Sequence, residues 1–125
     1  MDSMKIQESA EDYLEAILMI FERKGSVRSI DIANELGYSK PSVSIAMKNL
    51  RENGYIVMDK DGYITLTEKG KEVAERVYER HKFISQGLIK LGVDPKIAED
   101  DACRIEHVIS VETFEAIKKL SNEKL

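Results

Sequence analysis

Two short helical patterns separated by a glycine constrain the fold more than any other feature of the chain. The first runs from Ser29, which can cap it, to Leu36, and Gly37 ends it in a left-handed turn. Its predicted inner face is Ile30, Ala33 and Leu36. The second follows Ser39, a plausible N-terminal cap, with Pro41 in its first turn, where the missing N–H does no harm. A short helix that glycine ends before a second helix is typical of a helix-turn-helix.

The second helix is predicted to have a buried side and an outer side. Its apolar stripe at helical spacing is Val43, Ala46, Met47 and Leu50. The residues that point outward are then Lys40, Ser42, Ser44, Ile45 and Lys48. Small hydroxyls and lysines at the start of such a helix suit contacts to phosphates and base edges in a DNA major groove. The net charge of −4 argues mildly against nucleic-acid binding, but Ser39 to Arg51 carries three basic residues and no acidic one.

The elements around the helix-turn-helix follow an informative order. Apolar residues spaced by three and four predict a helix from Ser9 to Lys24. Two β-prone runs between Tyr55 and Leu66 flank Asp61-Gly62, which predicts a hairpin with a two-residue turn. Helix, short helix, turn, basic helix and hairpin in this order predict a winged helix-turn-helix with a small β-hairpin wing. We expect this DNA-binding domain to occupy residues 1–70.

The remaining residues, 71–125, have the pattern of an α-helical domain, so we expect the fold to be mainly α. Thr67, Asp94 and Ser110 can each cap a helix. The final helix carries apolar residues at helical spacing, Val111, Phe114, Ile117 and Leu120. These residues have few partners within so small a module, so we expect them to form part of a homodimer core.

A stretch near the C-terminus combines side chains that bind metals. If residues 99–107 are helical, as the absence of glycine and proline allows, steps of three and four place four of them on one face. They are Glu99, Cys103, Glu106 and His107. Two carboxylates, a thiol and an imidazole suit Fe²⁺, Zn²⁺ or Mn²⁺, whereas Ca²⁺ and Mg²⁺ prefer oxygen alone. A solvated acidic helix with a buried cysteine is the alternative, and this stretch alone leaves both interpretations open.

Composition favours a compact protein of the cytoplasm. The 125 residues, of which 42% are hydrophobic, suffice for a core. No apolar run approaches the roughly 18 residues of a membrane span, and no signal peptide is evident. The single cysteine cannot form an internal disulfide, which fits a reducing compartment. We therefore expect a cytoplasmic protein that does not bind a membrane.

Together these residues resemble the diphtheria-toxin-repressor and manganese-transport-regulator family of metal-dependent bacterial repressors. The resemblance covers nearly the whole chain, through Glu11-Asp12-Tyr13-Leu14-Glu15, the winged helix, a histidine in the long fourth helix and Asp101-Ala102-Cys103-Arg104-Ile105-Glu106-His107-Val108. It implies the metal ligands Asp12, Glu15, His81, Glu99, Cys103, Glu106 and His107. Asp12 resembles the manganese branch and Cys103 the iron branch, so the implied cofactor is Mn²⁺ or Fe²⁺.

The resemblance implies a homodimeric, metal-activated transcriptional repressor, not an enzyme, that binds pseudo-palindromic operators of metal-uptake genes. Residues 71–125 would be the dimerisation and metal-binding domain, and because the chain ends at Leu125 we expect a short form without the SH3-like domain of some relatives. The residues implied to contact double-stranded DNA are Ser39, Lys40, Pro41, Ser42, Ser44, Lys48 and the wing residue Lys60.

Two other functions compete with this one. In a winged-helix regulator that is constitutive or senses a small molecule, the acidic cluster would be only a solvated surface. A metal-dependent hydrolase is disfavoured, because no additional base or oxyanion donor lies in an obvious loop.

Overall fold

The computed structural model describes residues 3–122, with side chains from 8 to 121. In chain order its elements are α1 (Ser3–Lys24), α2 (Ser29–Leu36), α3 (Lys40–Glu52), β1 (Ile56–Met58), β2 (Ile64–Leu66), α4 (Glu68–Lys90), α5 (Pro95–Ile105) and α6 (Val111–Asn122). Contacts group the chain into two compact units, Met1–Glu75 and Arg76–Leu125, so the second unit begins within α4. The mainly helical prediction is confirmed, and the predicted domain boundary between residues 70 and 71 stays a prediction.

Apolar residues of α1 form the centre of the first unit. Leu14, Ile17 and Ile20 are each at most 1% exposed, and α1 packs against α2, α3 and β2. A fully buried side chain of this size contributes about 1.5–3 kcal/mol. The predicted stripe of α3 is confirmed for its largest members, which are Val43, Met47 and Leu50. The helix-turn-helix therefore rests on α1 through one apolar face and leaves its other face in solvent.

The start and the inner face of α2 differ from the predictions. Arg28, not Ser29, is the N-terminal cap residue, and its N–H donates to the carboxylate of Asp31 at 2.9 Å. Ile32 is fully buried, whereas Ile30, which we predicted on the inner face, is 41% exposed. α2 contacts both α1 and α3, and the residues that it buries are Ile32 and Ala33.

The hairpin has the predicted strands but a longer turn. The Asp59 N–H donates to the Tyr63 carbonyl at 3.0 Å, and the Gly62 N–H donates to the Asp59 carbonyl at 3.0 Å, so three residues form the loop. Gly62 has a φ of +88°, the left-handed conformation that closes such a loop. The two-residue turn predicted at Asp61-Gly62 is therefore wrong. The wider loop is stabilised by the Asp59 carboxylate, which accepts the N–H groups of Asp61 and Tyr63 at 2.9 Å each.

Thr67 joins the base of the hairpin to α4. Its hydroxyl donates to the Gly54 carbonyl at 2.7 Å and accepts the Gly70 N–H at 3.1 Å, which confirms the predicted cap. Gly70 is buried, and a Cβ added there would collide with the carbonyl oxygen of Tyr55. A glycine is therefore required at this position, because α4 begins directly against the backbone that precedes β1.

Helix caps and aromatic packing shape the second unit. Asp94 and Ser110 cap α5 and α6 as predicted, and their side-chain oxygens accept N–H groups of the first turn at 3.1 and 3.0 Å. Phe114 of α6 is 4% exposed and packs edge-to-face on Phe83 of α4, with ring centroids 6.3 Å apart. These contacts join α6 to the part of α4 that lies in this unit.

Several apolar residues of the second unit remain exposed. Val111 is 62% exposed, Leu120 49% and Leu91 79%. A groove of about 200 Å³ is lined by Ile84, Leu88, Leu91, Ile105, Ile117 and Leu120. The homodimer core that we predicted from the apolar residues of α6 stays a prediction. Within residues 3–122, none of the helices has the length and apolar character that a membrane crossing requires.

Candidate metal centre

The predicted metal-binding helix ends earlier than expected. α5 ends at Ile105, but Glu106 keeps helical backbone angles of φ −58° and ψ −22°. The Val108 N–H then donates to the Ile105 carbonyl at 3.0 Å, a bond between residues three apart that tightens the last turn. Glu106 therefore keeps the helical relation to Cys103 that the sequence predicted, and His107 lies in the turn that follows.

His81 of α4 is the centre of a polar cluster in the second unit. Its Nδ1 lies 2.8 Å from Glu106 Oε2 and 3.8 Å from Cys103 Sγ. Its Nε2 lies 2.6 Å from Glu99 Oε2. Three of the residues predicted on one face of α5 and its last turn thus contact one imidazole, which the sequence placed on another helix.

The spacing of the donor atoms suits a transition metal. One donor atom each from His81, Cys103 and Glu106 lies within 4.8 Å of the other two. Metal bonds of about 2.0–2.3 Å to nitrogen, oxygen and sulfur place tetrahedral ligands about 3.3–3.8 Å apart. The observed separations, 2.8 Å for His81 to Glu106 and 3.8 Å for His81 to Cys103, therefore need only small side-chain movements around an ion.

The carboxylate of Glu106 is buried, and one of its oxygens accepts no hydrogen bond from the described residues. Glu106 is 1% exposed, and among the described residues its Oε1 has no hydrogen-bond partner. Oε1 lies 3.5 Å from Nε2 of His107. A buried carboxylate oxygen without a hydrogen bond destabilises the folded state unless positive charge compensates it. The mixed N, S and O donor set of His81, Cys103 and Glu106 fits a divalent transition metal.

The same cluster favours a positive charge on His81. Its hydrogen bonds to Cys103, then Glu106 and Glu99, outweigh the opposing effect of burial and raise the pKa of His81 to about 11. The imidazole is therefore protonated at neutral pH. A metal ion that binds Nδ1 must displace a proton from that atom.

Arg80, the residue before His81, holds the turn that carries Glu106. Its Nη1 donates to the carbonyl oxygens of Glu106 and Ile109 at 3.2 Å each, and its guanidinium lies 5.5 Å from the centroid of the Phe114 ring. The sequence reasoning missed Arg80, and only its position beside His81 could have indicated it. These bonds satisfy the carbonyls of the C-cap residue of α5 and of the segment that follows it.

The other predicted ligands lie on α1 and in the turn after α5. Asp12 and Glu15 are three residues apart on α1, where Glu15 is 8% exposed. The sequence reasoning did not select Glu11, which is also buried at 7% exposed. His107 is partly buried next to Glu106. Metal ligation by each residue of the predicted set stays a prediction.

The residues predicted to contact DNA lie on the outer face of the helix-turn-helix and in the wing. Ser39 caps α3, and its hydroxyl accepts the Ser42 N–H at 3.3 Å. All of the predicted contact residues are exposed, namely Ser39, Lys40, Pro41, Ser42, Ser44, Lys48 and Lys60. Ile45 on the same face is 64% exposed. α3 therefore offers hydroxyls and ammonium groups around one apolar side chain.

The sequence reasoning also missed Arg28 as a support of the wing. Its Nη2 donates to the Asp61 carbonyl in the hairpin loop at 2.9 Å, and its guanidinium lies 5.1 Å from the centroid of the Tyr63 ring. Asp61 is 33 residues from Arg28 in the sequence, so no local pattern could indicate this hydrogen bond.

Both units match models of one protein family. Residues 5–64 match the domain described as iron dependent repressor, N-terminal DNA binding domain. Residues 67–123 match the domain described as iron dependent repressor, metal binding and dimerisation domain. The first match covers the winged helix-turn-helix, and the second covers the residues that form the His81 cluster.

Individual relatives are transcriptional regulators. The transcriptional regulator MntR of Escherichia coli O6:H1 is 37% identical over 112 residues, which are 90% of this chain and 72% of that protein. An HTH-type transcriptional regulator of Methanocaldococcus jannaschii is 37% identical over 115 residues, which are 90% of this chain and 92% of that protein. The structure of the manganese regulator SloR matches with a TM-score of 0.80 and 30% identity over 90% of this chain. The chain spans about half of that solved structure, 53% of its length.

Proposed function

Because the chain belongs to the iron-dependent repressor family, we propose that it is a homodimeric, metal-activated transcriptional repressor that binds a pseudo-palindromic operator. It would repress genes of metal uptake, and it would be located in the cytoplasm. The observation that carries the proposal is the buried carboxylate of Glu106, which lies in a cluster with an imidazole and a thiol and has one oxygen without a hydrogen bond.

In this proposal three side chains of the second unit hold the metal: His81 through Nδ1, Cys103 through Sγ and Glu106 through its carboxylate. The resemblance adds Asp12, Glu15 and His107 as further ligands. A bound divalent ion would replace the positive charge that protonated His81 places beside the buried carboxylate in the metal-free protein. Carboxylates favour Mn²⁺, and a thiolate favours Fe²⁺ or softer ions, so Cys103 should bias the site toward Fe²⁺.

The DNA side of the proposal uses the outer face of α3. Ser39, Pro41, Ser42 and Ser44 would face bases or backbone, while Lys40, Lys48 and Lys60 would contact phosphates. In a homodimer the two copies of α3 would enter major grooves about 34 Å apart, one turn of the duplex. A pseudo-palindromic operator follows from that symmetry.

Metal can raise DNA affinity only through a difference in binding between two states of the protein. The state that binds DNA must hold the metal more tightly than the other state, and the coupling equals that difference. Arg80 contributes to this control, because it ties the backbone of a proposed ligand to the helix that carries His81.

The test is DNA affinity under anaerobic conditions, with an operator selected from a random-sequence pool and with Mn²⁺, Fe²⁺ or a chelator present. We expect either metal to raise affinity about tenfold or more, which is about 1.4 kcal/mol. Glu106→Gln should abolish the increase, and Glu115→Gln, an exposed glutamate of α6, should leave it intact. Equal affinity with metal and with chelator would overturn the proposal in favour of a metal-independent winged-helix regulator.

Metal preference has its own matched variant. Cys103→Glu replaces the thiol with a harder carboxylate, so the preference should move from Fe²⁺ toward Mn²⁺. An unchanged ratio of the two metal affinities would contradict the role of Cys103 in selectivity.

A further inference from the structure

The two ring nitrogens of His81 face different carboxylates. Nδ1 lies on the side of Cys103 and Glu106, at 3.8 and 2.8 Å. Nε2 bonds to Glu99 at 2.6 Å. The lone pairs of the two nitrogens point away from each other, so a group bonded to Nε2 lies across the ring from an ion bound to Nδ1. Glu99 and Glu106 therefore cannot both ligate an ion that is bound to Nδ1 of His81.

The surroundings of the two glutamates differ as well. The side chain of Glu99 is 56% exposed, whereas that of Glu106 is fully buried. Among the described residues, the donor group around His81 contains Cys103 and Glu106, and no metal-sized cluster contains Glu99. The exposed carboxylate of Glu99 thus bonds to the outer edge of the imidazole, while the buried carboxylate of Glu106 belongs to the donor group.

We propose that Glu99 is a positioning residue that accepts the Nε2–H of His81 and so leaves the lone pair of Nδ1 for the metal, instead of ligating the metal itself. A carboxylate on the far nitrogen of a ligating histidine selects the tautomer and fixes the orientation of the ring. The sequence predicted Glu99 as a ligand, and this inference gives it a different role. It rests on the proposed metal site and deepens it.

The expected effect is on metal affinity, not on the set of ligands. Loss of such a carboxylate lowers metal affinity by about 10–100-fold. Glu99→Ala should show this loss, and Glu99→Gln should recover part of it because its amide oxygen still accepts a hydrogen bond. Asp100→Asn removes a neighbouring exposed charge of α5 and should change neither affinity nor spectrum.

The experiment uses the whole chain and Co²⁺ as probe, anaerobically. Absorption spectra report the cobalt geometry and the sulfur-to-cobalt band of Cys103, and X-ray absorption counts the ligands. We expect Glu99→Ala at saturating Co²⁺ to keep the wild-type spectrum and ligand count, whereas Glu106→Gln changes both. A ligand lost in Glu99→Ala, or a wild-type Co²⁺ affinity in that variant, would overturn the inference.

Nitrogen NMR of the Zn²⁺-loaded protein gives a readout that a purely structural role of Glu99 would not move. We expect metal on Nδ1 and a slowly exchanging proton on Nε2 of His81, with faster exchange in Glu99→Ala. Metal on Nε2 would refute the inference and leave the metal site itself standing. A wild-type chain that binds neither Co²⁺ nor Zn²⁺ would refute the proposed function and this inference together.

Discussion

The outer face of α3 and the His81 cluster hold their candidate functional side chains in opposite ways. In α3 the core residue Met47 is 1% exposed, and the candidate DNA contacts Ser44 and Lys48 are exposed, so structure and function belong to different residues. In the second unit Glu106 is both 1% exposed and a candidate ligand. We therefore expect changes on the outer face of α3 to affect DNA binding alone, and changes in the His81 cluster to affect folding and function together.

The largest expected effect tests how tightly each unit is packed, with one substitution at two positions of α4. Gly70→Ala, in the first unit, would drive a methyl group into the Tyr55 carbonyl and should lower the free energy of unfolding by about 3 kcal/mol or more. The matched control Gly87→Ala, in the second unit, meets only Ile117 at an ordinary 3.8 Å. It should raise stability by about 0.5–1 kcal/mol. Urea denaturation measures the free energy of unfolding of both variants. Equal changes would contradict the difference in packing between positions 70 and 87.

The next effect tests whether polar bonds hold the second unit together. Arg80→Ala leaves the carbonyls of Glu106 and Ile109 without their donor and should cost about 2–3 kcal/mol in the free energy of unfolding. Arg104→Ala, on the exposed side of α5, should stay within about 0.5 kcal/mol of wild type. If the two variants were equally stable, the bonds of Arg80 would not matter to this unit.

A smaller effect tests whether the outer face of α3 contributes to DNA binding without contributing to stability. Lys48→Ala should weaken DNA binding by about 1 kcal/mol and lower the slope of log affinity against log salt by about 1, because one phosphate contact is lost. Its denaturation midpoint should match wild type, since Lys48 is exposed. A salt slope identical to wild type would show that Lys48 does not contact phosphate.

The smallest effect is a proton count in the cluster. Because the pKa of His81 is raised to about 11, the metal-free protein carries a proton there at pH 7, and metal binding should release it. Metal affinity should then rise with pH. Calorimetric titration with Mn²⁺ in two buffers of different ionisation enthalpy should give at least about one proton released per ion. Zero release would contradict a His81 that is protonated in the metal-free protein and then binds the metal.

The sequence predicted those parts of the fold that depend on local chemistry. Ser39, Thr67, Asp94 and Ser110 cap helices because each lies beside the N–H groups that it accepts. The predictions failed where a distant partner decides the outcome. Ile30 is exposed because the contacts of α2 with α1 and α3 bury Ile32 and Ala33 instead. The wing loop is wider because Asp59 accepts two N–H groups across it.

The candidate site divides in the same way. Helical periodicity alone related Glu99, Cys103 and Glu106, whose steps of three and four lie within one helix and its last turn. Periodicity could not select His81, which lies on another helix and entered only through the resemblance. The choice of its ring nitrogens between Glu99 and Glu106 depends on side-chain geometry, so no sequence pattern contains it.

The central claim, that metal in the second unit controls DNA binding by the first, is tested most directly by thermodynamic reciprocity. Mn²⁺ affinity is measured by calorimetry with and without saturating operator DNA, and DNA affinity with and without saturating Mn²⁺. Linkage requires the two factors to be equal. We predict that DNA raises Mn²⁺ affinity by the same factor, about tenfold or more, by which Mn²⁺ raises DNA affinity. A Mn²⁺ affinity that DNA leaves unchanged would contradict the claim.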